Sequence, residues 1–191
     1  ASVHVKVDTG MHRVGVAPRE TLSLIRFMQS FDSVLLEGVY THFAVADSPE
    51  HPANAQQLAL FNDVVAELAT HGIEPALVHA ANSAAALANP DARFSMVRLG
   101  IAMYGLLPGD GVKELCRGLI PALALKSRVS AIRWIEAGEA VSYGLRRPVE
   151  ASTLIATVPL GYADGVPRAL GETTVGVLLN GVPRRFAGTI T

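Results

Sequence analysis

The sequence predicts an α/β fold in its first part and an antiparallel β domain in its second part. Up to about residue 107, short apolar strands alternate with helical stretches, which is typical of strand-helix units around a parallel sheet. After about residue 118, the chain consists of short runs rich in valine, threonine and leucine, separated by turn signals. The turn-rich segment 108–111 lies between the two patterns, so we expect domains over 1–112 and 113–191.

Length and composition indicate a soluble globular protein. The chain has 191 residues, of which 50% are hydrophobic and 17% charged, enough to bury a substantial core. A net charge of −1 and the absence of a basic run argue against nucleic acid or a membrane surface as a partner. The sequence has one cysteine, Cys116, no signal peptide and no apolar run of the ~18 residues that a membrane span needs, so we expect a cytoplasmic protein.

Strands and helices alternate in the first region. The predicted strands span residues 3–8, 36–43, 76–81 and 96–101. Helical spacing of apolar residues predicts helices over 18–30 and 53–71, and Gly72 supplies a stop after the second. A closed eight-stranded barrel needs roughly 250 residues with its helices, so we predict a partial (β/α)8 barrel of the TIM type. The chain starts at Ala1 and enters a strand almost at once, so we expect an internal piece of a longer chain.

The second region is predicted to be part of a C-terminal antiparallel β domain. Its strand candidates span residues 124–135, 139–143, 153–160 and 174–179. Asn180 and Gly181 follow the last of them, and both residues tolerate the positive φ angles of a tight hairpin turn. We therefore expect a β-hairpin at this point.

The first predicted strand carries an unusual lysine. Its valines form an apolar face, which leaves Lys6 and Asp8 on the opposite face. Burying an ammonium group without partners is costly, so we expect an ionic group to face Lys6. The strand continues into a loop in which two glycines bracket Arg13.

Polar residues collect at the ends of the predicted strands. They are Lys6 to Arg13, His42, Asn82 with Ser83, Arg98 to Ile101, and Tyr104. The C-terminal strand ends of a parallel barrel converge on one site, so we expect these residues to share it. Any one of them alone would more often be a satisfied buried polar group or a helix cap.

Two of these clusters fit a phosphorylated aromatic cofactor. Ser83, Gly100 and the amide of Ile101 suggest a phosphate cradle, although Ser83 could equally be a plain helix cap. Arg98 could be part of a structural ion pair. At a cofactor ring, however, a permanent cation that only donates hydrogen bonds would leave a pyridine nitrogen unprotonated.

Two tyrosines in the second region are candidate proton-transfer groups. A tyrosine acts as a base only where positive charge or hydrogen bonding favours its phenolate, and Arg13 is the candidate for that role. The alternative is that Tyr143 and Tyr162 are edge-strand aromatics with surface hydroxyls. Spacing alone leaves both interpretations open.

Six motifs together resemble the alanine racemase family of pyridoxal-phosphate enzymes of fold type III. They are Lys6-Val7-Asp8-Thr9-Gly10-Met11 with Arg13 and Gly15, Thr41-His42-Phe43-Ala44 with Asp47, Asn82-Ser83-Ala84-Ala85, Arg98 with Gly100-Ile101-Ala102-Met103-Tyr104-Gly105, Val141-Ser142-Tyr143-Gly144, and Gly161-Tyr162-Ala163-Asp164-Gly165. The resemblance covers nearly the whole chain. It implies a barrel that binds pyridoxal phosphate, a C-terminal β domain, and a head-to-tail homodimer.

The resemblance also implies a role for each site residue. Tyr143 would be the base for one face of the substrate and would reach into the partner subunit's barrel, while Arg13 would hold that tyrosine and the substrate carboxylate. Lys6 matches a lysine that is carbamylated in many members, and Tyr162 would line the substrate entrance. The implied cofactor-binding residues are His42 against the cofactor, Arg98 at the pyridine nitrogen, Ser83, Gly100 and Ile101 at the phosphate, and Asn82 beside them.

Inverting a stereocentre requires two bases, and in this family the second is the lysine that carries the cofactor. The lysines here, Lys6, Lys113 and Lys126, do not match it. We expect that lysine before Ala1, and expect a methionine-aspartate pair and a phosphate-binding tyrosine beyond Thr191. The chain of 191 residues alone is therefore expected to be inactive. His12 departs from the pattern, where glycine is usual.

The sequence thus predicts a piece of an alanine racemase that interconverts L- and D-alanine and supplies D-alanine for peptidoglycan. One alternative is a racemase that prefers serine or a broader set of amino acids. Another is a catalytically inactive remnant that binds the cofactor or a partner. Decarboxylases that share the barrel fit less well, because their pyridine-facing residue is usually acidic and Arg98 stands there. The six histidines show no paired metal-ligand spacing.

Overall fold

The computed structural model describes residues 1–191 and divides them into two compact units, Ala1–Ala124 and Leu125–Thr191. The first unit contains a three-stranded parallel sheet in the order β1-β2-β3, with β1 at Ser2–Lys6, β2 at Leu35–Tyr40 and β3 at Leu77–His79. Its helices are α1 at Thr21–Gln29, α2 at Pro52–Thr70 and α3 at Ser83–Ala88. The first three predicted strands and both predicted helices are confirmed, each strand being shorter than predicted.

The helix α2 shows why the sequence folds locally as it does. Pro52 occupies the first turn, where its missing N–H costs nothing, and the His51 imidazole caps the helix by accepting from the Ala53 amide at 3.2 Å. Phe61 and Leu68 lie on its buried face within the core of the unit. None of the helices in the structure combines the length and the apolarity of a membrane span.

The core of the first unit lies between the sheet and these helices. Val5, Val7 and Val39 of the sheet region are buried against Ile25 of α1 and Phe61 of α2. Removing such side chains from water is the main source of stability. The packing fixes β1 with its apolar face inward, as the alternation of valines predicts.

The predicted fourth strand, over 96–101, is wrong. Only a single parallel bridge joins Met96 to His79, and the chain turns into a 3-10 helix at Ile101–Tyr104. The segment does not continue as a strand because its Gly100 amide donates to Ser83 Oγ at 2.9 Å and not to the backbone of a neighbouring strand. The segment is thereby held beside the start of α3.

The first unit extends further along the chain than the predicted boundary between 112 and 113. A 3-10 helix at Asp110–Cys116 packs against α3, and Val112 is fully buried in the core of the unit. The side chain of Val112 directly follows the turn-rich residues 108–111, and its burial packs this part of the chain into the first unit. The turn signals at 108–111 therefore lie within the unit.

The second unit contains two antiparallel pairs of strands. β4 at Ala131–Ile135 pairs with β5 at Thr153–Thr157, and β6 at Gly176–Leu179 pairs with β7 at Val182–Arg185. The predicted hairpin is confirmed, since Asn180 and Gly181 join β6 to β7 with φ angles of 50° and 79°. The predicted strand over 139–143 is wrong: Ser142 and Gly144 have φ angles of 70° and 81°, which turn the chain.

Candidate functional site

A cavity of about 460 Å³ opens at the carboxyl ends of the three parallel strands. Lys6, Tyr40 and His79 are the last residues of β1, β2 and β3, and the strand register pairs Lys6 with Tyr40 and Tyr40 with His79. The complete lining is His4, Lys6, Arg13, Val14, Tyr40, His42, His79 and Arg98. Four residues singled out in the sequence, Lys6, Arg13, His42 and Arg98, therefore share one cavity.

Lys6 is buried at its tip without a partner. Its Nζ atom is inaccessible to solvent and makes no hydrogen bond. Burial, together with the positive charge of Arg13, lowers the pKa of Lys6 below its usual value. The expected ionic partner is missing, because Asp8 is occupied elsewhere: its Oδ1 accepts from the amides of Gly10, Met11 and His12 at 3.1, 3.0 and 2.9 Å.

Arg98 is held at the back of the cavity by neutral acceptors. Its Nη2 donates to the carbonyl oxygens of Thr41 at 2.7 Å and Ala80 at 3.1 Å, and lies 3.1 Å from His42 Nδ1. Its Nη1 contacts His79 Nδ1, and its Cζ atom lies 5.1 Å from the centre of the Tyr40 ring. Arg98 forms no ion pair with a carboxylate, so the structural ion pair considered from the sequence is wrong.

The imidazoles that face Arg98 are neutral. Burial and the charge of Arg98 lower the pKa of His42 and lower that of His79 to about 4. The loop that carries His42 is fixed by Gln57 of α2, whose Nε2 donates to the His42 carbonyl oxygen at 3.1 Å. The Gln57 Oε1 accepts from the Ala44 amide at 3.0 Å. Gln57 thus holds the loop that carries His42 at two backbone groups, the His42 carbonyl and the Ala44 amide.

A second cluster of predicted residues lies at the start of α3. The residue that caps this helix is Asn82, whose Oδ1 accepts from the Ala85 amide at 3.0 Å, so the interpretation of Ser83 as the cap is wrong. Ser83 is buried, and its Oγ accepts from the amides of Gly100 at 2.9 Å and Ala102 at 3.3 Å. Ile101 begins the 3-10 helix, so its amide has no acceptor within that helix.

Tyr143 and Tyr162 belong to the second unit, where both side chains are exposed, at 76% and 59% of their surface. The Thr189 hydroxyl donates to the Tyr143 carbonyl oxygen at 3.0 Å, and the Ser142 hydroxyl donates to the Thr189 carbonyl oxygen at 2.6 Å. The turn that carries Tyr143 is thus anchored through its backbone. The Arg168 Cζ atom lies 5.8 Å from the centre of the Tyr162 ring.

Several residues that line or support the cavity were not predicted from the sequence. His4 stands two residues before Lys6, so strand alternation alone could have placed it on the same face. Tyr40 and His79 lie within the strands predicted over 36–43 and 76–81, and the structure ends both strands earlier, at these two residues. No sequence signal pointed to Gln57, because it acts on the site from a helix through tertiary contacts.

Comparison with known proteins gives a consistent result. A family model described as the alanine racemase N-terminal domain matches residues 1–108, and one described as the alanine racemase C-terminal domain matches residues 122–191. The alanine racemase of Symbiobacterium thermophilum is 45% identical over 191 residues, which cover 100% of this chain and 50% of that protein. The chain thus spans about half the length of the curated relatives it matches.

Solved structures agree with the sequence matches. The alanine racemase of Clostridium difficile 630 superposes with a TM-score of 0.88 at 38% identity and is covered over 50% of its length by the whole of this chain. The alanine racemase of Bacillus anthracis with bound L-Ala-P gives a TM-score of 0.84 at 36% identity, with 49% of that chain and 100% of this one covered. The chain belongs to the alanine racemase family.

Proposed function

We propose that this chain contributes the pyridoxal-phosphate site of an alanine racemase that interconverts L- and D-alanine. The observation that carries the proposal is the charge of the cavity: Lys6, Arg13 and Arg98 line it, and no carboxylate does. Unpaired cations around a cavity favour an anionic ligand. A phosphorylated cofactor and the carboxylate of an amino acid are both anionic, and the named relatives are alanine racemases.

The residues present fit pyridoxal phosphate. When bound, this cofactor supplies an electron sink that makes the Cα proton of an amino acid acidic. Ser83 accepts two backbone hydrogen bonds and so keeps its own hydrogen free to donate to a phosphate, beside the Ile101 amide and the backbone of Gly100. Asn82 would support this cluster by capping α3, and the neutral imidazole of His42 would pack against the cofactor.

Arg98 would set the electronic character of the cofactor. A guanidinium has only donors, so beside a ring nitrogen it would leave that nitrogen unprotonated and weaken the ring as an electron sink. A weaker sink favours simple return of the proton over competing bond cleavage. The acceptors around Arg98 hold the guanidinium in place without neutralising its charge.

Lys6 is proposed to be carbamylated. A lowered pKa raises the share of Lys6 present as the free amine, which adds to the carbon of CO2 with loss of one proton and becomes a carbamate anion. That anion would supply the negative partner that Arg13 lacks in the cavity. Arg13 would then be oriented toward the substrate carboxylate.

Tyr143 is proposed to be the base for one face of the substrate, with Tyr162 at the substrate entrance. Both side chains are exposed in the second unit, which supports a role toward a partner subunit in a homodimer. The second base would be a lysine that carries the cofactor. Since none of the chain's three lysines matches it, we expect the 191 residues alone not to racemise alanine.

The test is a chimera in which this chain replaces the matching half of the Symbiobacterium thermophilum racemase. We expect it to racemise alanine only with pyridoxal phosphate, and to act on serine more slowly. Ser83→Ala should weaken binding of pyridoxal phosphate but leave binding of pyridoxal, which lacks the phosphate, unchanged. The matched control Ser23→Ala alters an exposed serine of α1 and should change neither.

Three outcomes separate this proposal from its alternatives. Faster reaction with serine would favour a racemase of broader specificity. Cofactor binding without racemisation by a folded chimera would favour an inactive binding remnant. Failure of the folded chimera to bind pyridoxal phosphate would contradict the proposed function, including its expected cytoplasmic role in supplying D-alanine for peptidoglycan.

A further inference from the structure

Four side chains form a continuous line from the back of the cavity to the surface. The Arg98 guanidinium contacts His79 Nδ1, His79 Nε2 lies 2.8 Å from His4 Nδ1, and His4 Nε2 lies 3.5 Å from Glu37 Oε2. His79 is only 3% exposed, whereas 45% of the Glu37 side chain is accessible. The line therefore connects the half-buried guanidinium of Arg98 to an exposed carboxylate through the buried imidazole of His79.

The direction of the two inner hydrogen bonds in this line follows from Arg98. Arg98 has no acceptor, so His79 Nδ1 must be the unprotonated nitrogen that accepts from it. The proton of neutral His79 is then on Nε2 and is donated to His4 Nδ1. Neutral His4 consequently carries its proton on Nε2, which lies 3.5 Å from the Glu37 carboxylate, a group that can only accept. Reversing either ring would bring two donors face to face.

The surrounding backbone is shaped to hold this arrangement. Gly38 pairs with His4 in the sheet, and a Cβ atom at Gly38 would overlap the His4 imidazole. Tyr40 stacks on His79 with their ring centres 4.8 Å apart and their planes 10° from parallel. Glycine at 38 thus leaves room for one ring, and Tyr40 fixes the plane of the other.

We propose that Glu37 is a positioning residue for Arg98, which it orients through fixed neutral tautomers of His4 and His79. Arg98 sets these tautomers from the inner end, and the Glu37 carboxylate stabilises the same set from the outer end because it faces the Nε2–H of His4 and can only accept. The consequence for the cofactor rests on the proposed function, whereas the tautomer assignment depends only on the four side chains.

Acid should disrupt the line. The groups that face His4 are Glu37 and His79, and those that face His79 are Arg98, His4 and the Tyr40 ring. The pKa of His79 is lowered to about 4 by burial and by the charge of Arg98, so a second proton reaches it only in acid. That proton would occupy Nδ1 and oppose the N–H of Arg98. Arg98 then loses an acceptor within the cavity.

The test compares Glu37→Gln, which keeps an acceptor oxygen, with Glu37→Leu, which removes it. Glu74→Leu, at an exposed glutamate outside the line, is the matched control. Long-range 1H–15N NMR of the histidine-labelled chain near neutral pH should find His79 protonated on Nε2 and the neutral form of His4 protonated on Nε2. Glu37→Gln and Glu74→Leu should retain this pattern. Glu37→Leu should keep His79 protonated on Nε2, because Arg98 is still its donor, and should shift the Nε2 resonance of His4, which loses its outer acceptor.

The active chimera supplies a second measurement. By analogy with the outer partners of metal-ligating histidines, Glu37→Leu should lower kcat about tenfold with an unchanged KM for alanine, and Glu37→Gln should restore it. A His79 protonated on Nδ1, or a His4 Nε2 resonance unaffected by Glu37→Leu, would overturn the inference. If the tautomers are as assigned but the parent chimera is inactive, the proposed function fails and the positioning role of Glu37 toward Arg98 stands.

Discussion

Gln57 donates from Nε2 to the backbone carbonyl oxygen of His42 at 3.1 Å and so joins α2 to a loop of the cavity. The glutamine is buried, and its Oε1 also accepts from the Ala44 amide. Gln57→Leu removes both hydrogen bonds to these partly buried backbone groups, so we expect the free energy of unfolding to fall by about 1–3 kcal/mol. Urea unfolding measures the loss. Gln56→Leu, at the exposed neighbouring glutamine, should change it little, and equal effects of both variants would contradict the role of Gln57.

Acid should destabilise the protein through His79. Its pKa is about 4 in the folded state and 6.5 ordinarily, so between these values the unfolded chain binds more protons. Stability therefore rises with pH through this window and falls as the solution is acidified through it. We expect the urea midpoint to drop between about pH 7 and about pH 5, and to drop less in His79→Gln, which cannot take up that proton. An equal drop in both proteins would show that His79 is not the responsible group.

Bicarbonate should stabilise the protein through Lys6. Anything that reacts with the folded state alone raises the free energy of unfolding. A carbamate on Lys6 also removes the unpaired buried amine, so thermal unfolding should shift upward with bicarbonate in the parent protein and not in Lys6→Met. Native mass spectrometry should find one added CO2 that is lost in acid. Addition of CO2 to Lys6→Met would assign the modification to another group.

His12 occupies a backbone conformation that favours glycine. Its φ angle is 53°, and the left-handed region costs an ordinary residue roughly 1–2 kcal/mol. The change to glycine also removes the contact of His12 Nδ1 with Asp8 Oδ2 at 3.3 Å, a largely exposed contact that contributes little. His12→Gly should therefore raise the free energy of unfolding, measured with urea, by about 1 kcal/mol. A destabilised His12→Gly would contradict this account.

Local patterns predicted the parts of the fold that depend on local chemistry. Valine alternation gave β1 its inward face, and the residues that tolerate positive φ at Asn180 and Gly181 located the hairpin. The segment 96–101 could not be predicted, because Ser83, far away in sequence, accepts its Gly100 amide. The turn around Tyr143 could not be predicted, because it depends on hydrogen bonds that Tyr143 and Ser142 form with Thr189, which is distant in sequence. Strand propensity describes only the local residues.

The candidate site was also predictable only where it depends on local sequence position. Lys6, Arg13, His42 and Arg98 could be grouped from their positions near strand ends, and the structure places them in one cavity. The line from Arg98 through His79 and His4 was not predictable, because it depends on strand register and on the space above Gly38. Register is set by three-dimensional packing, and a sequence alone specifies it weakly.

The most direct test of the racemase account is the fate of the Cα proton in the Tyr143→Phe chimera. Each enantiomer of alanine presents that proton to one base, so loss of the tyrosine base should stop racemisation while one enantiomer still exchanges its proton with heavy water. Proton NMR of separate L- and D-alanine samples reports both events, with Trp134→Phe, at an exposed aromatic residue of β4, as the control. The account predicts exchange in one enantiomer without inversion. Undiminished racemisation of both enantiomers by Tyr143→Phe would contradict it.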